Sequence, residues 1–332
     1  MPAEINKLTI VKEHSRQEIF FCLARVPNSS RLFMGASDGK VYEVDPLAEK
    51  PEFKPHDGHS SFVTGVAIAG EFIISGSYDG KLIWRKIDGG EIVRTVEAAH
   101  TRWIRKVVAS PDGKRVVSVA DDMVARVWDA ETGNRLHELR GHDELTPNHF
   151  PSMLYTCAVS PDGRALATGD RVGQIIVWDL ASGSQLHKLS APGFYTWDEK
   201  QRIHSIGGIR SLAFSPDSKT LVAGGIGRIG NIDHLDGPAR VEVFDWEKGE
   251  KLHEFSGEGK GLIEHLVFDH EGRWLAGLGG DNGGLIQFYK VADKKVVRSD
   301  KAPMHIHAAV LDEAGDRLFA CGHGRVVVWE LA

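Results

Sequence analysis

HTRWIRKVVASPDGKRVVSVADDMVARVWD, residues 100–129, sets short Val-rich runs between turn-forming residues and closes on Trp128-Asp129. Ser110-Pro-Asp-Gly113 is a turn with a mechanism: the proline presets φ, the aspartate bonds nearby backbone, and the glycine accepts positive φ. Ser160-Pro-Asp-Gly163 and Ser215-Pro-Asp-Ser218 repeat it, and Asp-Gly pairs such as Asp79-Gly80 mark the next turn along. Strands this short with no helical period between them exclude a βαβ fold.

The closing motif recurs. Lys40-Val-Tyr-Glu-Val-Asp45, Lys81-Leu-Ile-Trp84, Arg126-Val-Trp-Asp129, Gln174-Ile-Ile-Val-Trp-Asp179, Val241-Glu-Val-Phe-Asp245, Leu285-Ile-Gln-Phe-Tyr289 and Val326-Val-Val-Trp-Glu330 are seven copies of a β-branched run that closes on an aromatic, or on Val44 in the first, often followed by an acid. Counted from Val44, Trp84, Trp128, Trp178, Phe244, Phe288 and Trp329, the spacings are 40, 44, 50, 66, 44 and 41 residues. A base period of about 40–45 residues suits a four-stranded propeller blade.

With Gly58-His59 through Ser75, Asp79 and Trp84, and His100 through Ser118, Asp122 and Trp128, the chain resembles the WD40 repeat family along essentially its whole length. That resemblance implies an all-β, seven-bladed β-propeller of four-stranded antiparallel blades, forming one domain over residues 1–332. It also implies a His, hydroxyl, Asp and Trp network in the best-matched blades: His59, Ser75, Asp79 and Trp84; His100, Ser118, Asp122 and Trp128; and His142, Thr168 and Trp178, with Val172 where the turn Asp is expected. Leu8-Thr-Ile-Val11 matches outer-strand segments such as Leu136-His-Glu-Leu139, so the N-terminal strand is expected to complete the last blade and remove the free edges.

Composition sets the function classes. An apolar fraction of 42% and a charged fraction of 26% are those of a globular chain. With 40 Lys plus Arg against 46 Asp plus Glu, and no basic run to neutralise phosphates, nucleic acid is not the expected partner. No stretch approaches 18 apolar residues and no signal peptide is legible, so no membrane contact and a cytoplasmic location are expected. Cys22, Cys157 and Cys321 lack CxxC spacing and read as core thiols of a reducing compartment.

Three insertions lie in the family's one-face loops: residues 143–153, 191–208 and 226–239. The second holds Phe194, Tyr195, Trp197 and His204, aromatics of the kind enriched at interfaces. Aligning the strands that follow places Phe21, Thr64, Arg105, Tyr155, Arg210, Glu264 and His307 at one equivalent position, which in the family rims the central channel. Two residues earlier stand Ile19, Phe62, Trp103, Met153, Gly208, Leu262 and His305. The residues expected to touch a partner are therefore Phe62, Trp103, Arg105, Tyr155, Phe194, Tyr195, Trp197, Arg210, His305 and His307.

Several motifs carry no chemistry. Gly35-Ala-Ser-Asp-Gly39 matches a nucleophile elbow, but that serine needs a following helix. Gly225-Ile-Gly-Arg-Ile-Gly230 lacks the helix that would receive a pyrophosphate. Asn231-Ile-Asp-His-Leu-Asp236 lacks calcium-loop spacing. His305-Ile-His307 points two rings to one side and needs a further ligand, from Glu264 or His14, to hold a metal. The expectation is a non-catalytic scaffold, monomeric by itself, with no cofactor and no metal, that binds a protein or peptide. A hydrolase or lactonase-like propeller enzyme with its site at the channel mouth is the alternative.

Overall fold

The computed structural model describes Ile5 and residues 7–201, 204–231, 236–281 and 283–331. Among the described residues there is no α-helix, and Pro192–Phe194 forms one 3-10 turn. Five sheets of four antiparallel strands occupy residues 63–96, 104–140, 154–190, 209–260 and 262–302. A sixth sheet has six strands in the order Ile306–Leu311, Arg317–Leu331, Leu8–Arg25, Leu32–Ala36, Val41–Val44 and Lys54–His56.

The β-propeller of four-stranded antiparallel blades is thus present, but its blades number six rather than the seven expected. The correction has a physical cause. Leu8–Arg25 is one uninterrupted strand whose first half pairs with Arg317–Leu331 (Leu8 with Leu331 through Ser15 with Arg325) and whose second half pairs with Leu32–Ala36. One strand pairs with both the last sequence repeat and the first, so two repeats share one sheet. Seven inner strands still pack in sequence order around the centre, with Ile306–Leu311 returning to Leu8–Arg25.

The turns are built as their residues dictate. Ser110 Oγ donates to Asp112 Oδ1 at 2.5 Å and accepts from the Arg115 amide at 2.9 Å, while Gly113 adopts a φ of 67°. Ser215 and Asp217 repeat the bond at 2.6 Å, with Ser218 taking the left-handed position at 61°. The apolar core lies between neighbouring sheets: Ile74, Trp84, Ile104, Val116 and Trp128 form one such layer, and Val117, Leu154, Cys157, Ile176 and Trp178 the next. All three cysteines are free and buried, and burial pushes the Cys22 and Cys157 thiols up to about 12.

The pairing of Leu8–Ser15 with Arg325–Leu331 covers what would otherwise be a bare apolar edge. Deleting residues 1–15 is expected to lower Tm by about 10 °C or more and to drive self-association in size-exclusion chromatography. An unchanged Tm with unchanged elution would show that this closure contributes nothing.

Candidate functional site: the channel rim

Every inner strand carries a one-residue bulge, and the bulged residue is the one that the repeat alignment singles out. The ladders step from Phe20 to Cys22, Val63 to Gly65, Ile104 to Lys106, Leu154 to Thr156, Ile209 to Ser211, Ile263 to His265 and Ile306 to Ala308. Phe21, Thr64, Arg105, Tyr155, Arg210, Glu264 and His307 are skipped. A bulge takes a residue out of ladder register and re-aims its side chain. All seven of these line one central cavity of about 440 Å³ and are half-buried there.

Around that cavity runs a belt of aromatic rings and guanidinium groups. His305 lies 4.7 Å from His307 between ring centroids, His307 5.4 Å from Phe21, Phe21 5.4 Å from Phe62, Phe62 5.7 Å from Tyr78, and Tyr78 stacks on Trp103 at 4.5 Å. Arg105 continues the belt over Tyr78, Trp103 and Tyr155, and Arg210 sits 4.0 Å from the Tyr155 ring centre. Asp121 holds Arg105 through bonds of 2.8 and 2.6 Å. Arg210 has no ion-pair partner among the described residues, and its Nε is buried without a hydrogen bond. Phe62 and Trp103 remain 42% and 49% exposed, which leaves the outer side of the belt open to a partner.

Tyr78 is part of this belt and sequence reasoning missed it. A signal was available. The residue opening the turn after the second strand donates its amide to the outer rim position in five repeats: Ser37 to Ile19, Tyr78 to Phe62, Asp121 to Trp103, Arg171 to Met153 and His323 to His305. Aligning that position would have exposed Tyr78, Asp121, Arg171 and His323 together.

Arg171 joins two of the insertions to the rim. Its guanidinium donates to the Pro151 carbonyl at 3.1 Å and to the Ser205 carbonyl at 2.7 Å, while Met153 Sδ lies 3.7 Å from Arg105 Nη2. Phe150, Trp197 and His204 cluster with ring separations of 5.3 to 5.9 Å, and Tyr195 donates to Asn148 Oδ1 at 3.2 Å. Tyr195–Trp197 and Ser205–Gly207 pair as a small two-stranded sheet. Phe194, expected at the surface, is instead fully buried in the core beside Ile209 and Phe244 and anchors the loop. Of the third insertion, residues 232–235, the middle of the Asn231 to Asp236 stretch, lie outside the described residues, while Asn231 and Asp236 themselves form an isolated antiparallel bridge.

The hydrogen-bond networks differ from blade to blade. His100 Nδ1 donates to Asp122 at 3.0 Å, Ser118 Oγ donates to His100 Nε2 at 2.7 Å, and Trp128 Nε1 donates to Ser118 Oγ at 2.9 Å. His142, Thr168 and Trp178 repeat this at 2.9 Å for both hydroxyl contacts, and buried Asp170, not position 172, supplies the carboxylate at 2.8 Å. His59 bonds Ser75 and Asp79 at 2.9 and 3.1 Å, but Trp84 departs from the expected set and donates to the Ala130 carbonyl of the neighbouring sheet at 2.9 Å. Burial raises Asp79 and its bonds from His59, Ser60 and Lys81 lower it, leaving it at about 2. Burial holds His100 below the ordinary histidine range against the pull of Asp122.

The comparisons agree with this geometry. The family model described as "WD domain, G-beta repeat" matches residues 51–84, 90–129, 133–179 and 200–228. This chain is a WD40-repeat protein. It is 30% identical over 164 residues to nuclear distribution protein PAC1 of Arthroderma otae, covering 46% of this chain and 33% of that one. It is 26% identical over 250 residues to mouse telomerase protein component 1, covering 74% of this chain and 8% of that one. With rat apoptotic protease-activating factor 1 it shares 34% over 154 residues, 46% of this chain and 11% of the relative. These matches therefore span a third or less of each relative's length.

Two outcomes follow for this WD40 chain. Ser118→Ala orphans both the His100 and the Trp128 ring nitrogens, whereas Ser75→Ala orphans only His59, because Trp84 bonds elsewhere. Each buried unsatisfied group costs about 1–3 kcal/mol, so urea unfolding should place S118A clearly below S75A in stability; equal losses would contradict the assignment. Folding depresses the affinity of His100 for a proton, so the stability it contributes is complete above about pH 6.5, the ordinary histidine value, and declines as pH falls below it. Calorimetric Tm should drop between pH 7.5 and 5, and a flat profile would be inconsistent with this.

Proposed function

We propose that the chain is a non-catalytic scaffold that takes a protein or peptide on the channel rim and on the adjoining loops of residues 143–153 and 191–208. The observation that carries this is the continuous aromatic and guanidinium belt with Phe62 and Trp103 exposed on it. Interface centres are enriched in aromatics and Arg. A groove of about 690 Å³ lined by Tyr78, Trp103 and Met153 together with Asp79, Arg102 and Asp121 adjoins the belt. Arg210, without an ion-pair partner among the described residues, favours an acidic group from a segment that enters the cavity. The three unpaired thiols suit a reducing, cytoplasmic location.

Affinity capture from native lysate, followed by calorimetry with the purified partner, tests this reading. The double variant F62A/W103A should bind about 30-fold or more weakly, since an interface hot spot contributes about 2 kcal/mol or more. R210Q should weaken binding and flatten its salt dependence. Wild-type affinity in both variants would place the interface elsewhere.

The enzyme reading has one observation in its favour, a carboxylate and histidine cluster at the channel mouth. A propeller hydrolase would also require converging acids on the rim, where Glu264 is the single carboxylate among the residues lining the central cavity.

A further inference from the structure

One end of the belt, where the last inner strand meets the rim, has a chemistry that partner binding does not require. Glu264 and His307 are bulged residues of adjacent inner strands, and His305 lies two residues before His307. The ligand atoms of Glu264, His305 and His307 all lie within 4.8 Å of one another. The ring of His323 sits 5.1 Å from that of His305 and 4.9 Å from that of His307. Two imidazoles and one carboxylate from two neighbouring strands thus converge at the channel, with the His323 ring beside them.

The arrangement is held in place for coordination. His305 Nδ1 donates to the Asp281 carbonyl at 3.2 Å, which leaves Nε2 as the free lone pair. A backbone carbonyl that fixes the tautomer is the usual outer partner of a metal-bound histidine. His307 Nε2 is buried with no hydrogen-bond partner, and Glu264 makes no hydrogen bond or ion pair among the described residues. A buried ring nitrogen left unbonded is costly unless something occupies it. The His323 amide bonds the His305 carbonyl at 3.1 Å, and a side chain at Gly322 would strike that same carbonyl, so only glycine lets the two segments approach so closely.

We propose that Glu264, His305 and His307 bind a divalent first-row transition metal ion, with exposed His323 beside them as the fourth donor. Two or three imidazoles with one carboxylate suit Zn²⁺ and its neighbours rather than Ca²⁺ or Mg²⁺, which prefer all-oxygen sets. His14, the other donor that the sequence offered, is held elsewhere by a bond with the Pro46 carbonyl at 2.9 Å. Arg210 and Lys106 line the same cavity and oppose a cation, so the site depends on the Glu264 charge to bind at all. His305 and His307 also belong to the belt, but ion binding and partner binding are read by separate measurements, so either can fail without the other.

The test uses the purified full chain stripped with chelator, with Zn²⁺ titrated by calorimetry and Co²⁺ followed by its visible absorption. One ion per chain is expected, with the Co²⁺ spectrum of a nitrogen and oxygen site. H305Q/H307Q should weaken Zn²⁺ binding 100-fold or more, and E264Q, which keeps the side chain's shape, about 10-fold. H137A, at an outer strand away from the cluster, should bind as wild type, and circular dichroism checks that each variant is folded. Absence of saturable one-to-one binding, or wild-type affinity in a folded H305Q/H307Q or E264Q variant, would overturn the proposal.

Discussion

A strand that enters a closed ring of sheets has to satisfy its ladder and still offer a side chain to the central space, and in this chain a one-residue bulge does both. The extra residue breaks the two-residue alternation at one point and re-aims its own side chain into the cavity. Because the bulge recurs in all seven inner strands, seven side chains of unrelated chemistry meet around one cavity. The fold supplies the positions, and the residues placed there supply Phe, Thr, Arg, Tyr, Arg, Glu and His.

Closure makes those positions rigid. Leu8–Ser15 lies along Arg325–Leu331, and the strand then runs on into the first repeat, so the ends of the chain are locked by the same ladder that begins it. Within the sheets, His100 with Ser118 and Trp128, and His142 with Thr168 and Trp178, convert buried polar atoms into satisfied networks. The 63–96 sheet uses its tryptophan differently, tying Trp84 to the neighbouring sheet through Ala130, so the same residue type serves as a link inside one blade and between two.

Two regions of the rim differ in character. On the side of Phe62, Tyr78 and Trp103 the surface is apolar, stacked and partly exposed, the character of a protein interface. On the side of Glu264, His305 and His307 it is polar, close-set and short of hydrogen-bond partners. Phe21 touches both, 5.4 Å from Phe62 and 5.4 Å from His307, so the two regions are joined by direct packing.

Much of this was legible in the chain alone, because repetition makes position readable: turn chemistry at Ser110 to Gly113 marks strand ends, and equal distance from those turns picks out Arg105, Arg210 and His307 as equivalents. Local turn and strand preferences, with a base period near 40 residues, were sufficient to determine the all-β repeat and the equivalent positions in it, and the WD40 resemblance implied the propeller and its channel rim. What they could not determine depends on contacts between segments far apart in sequence. Whether the first and last repeats form separate blades rests on the pairing between residues 8–15 and 325–331. Phe194 becomes core because Ile209 and Phe244 surround it, and Trp84 finds Ala130 rather than Ser75 because a neighbouring sheet brings that carbonyl within reach. His323 joins His305 only where glycine at 322 allows two backbones to touch. Each of these outcomes was decided by tertiary packing, since burial and hydrogen-bond partners are properties of the folded neighbourhood and not of any single stretch of chain.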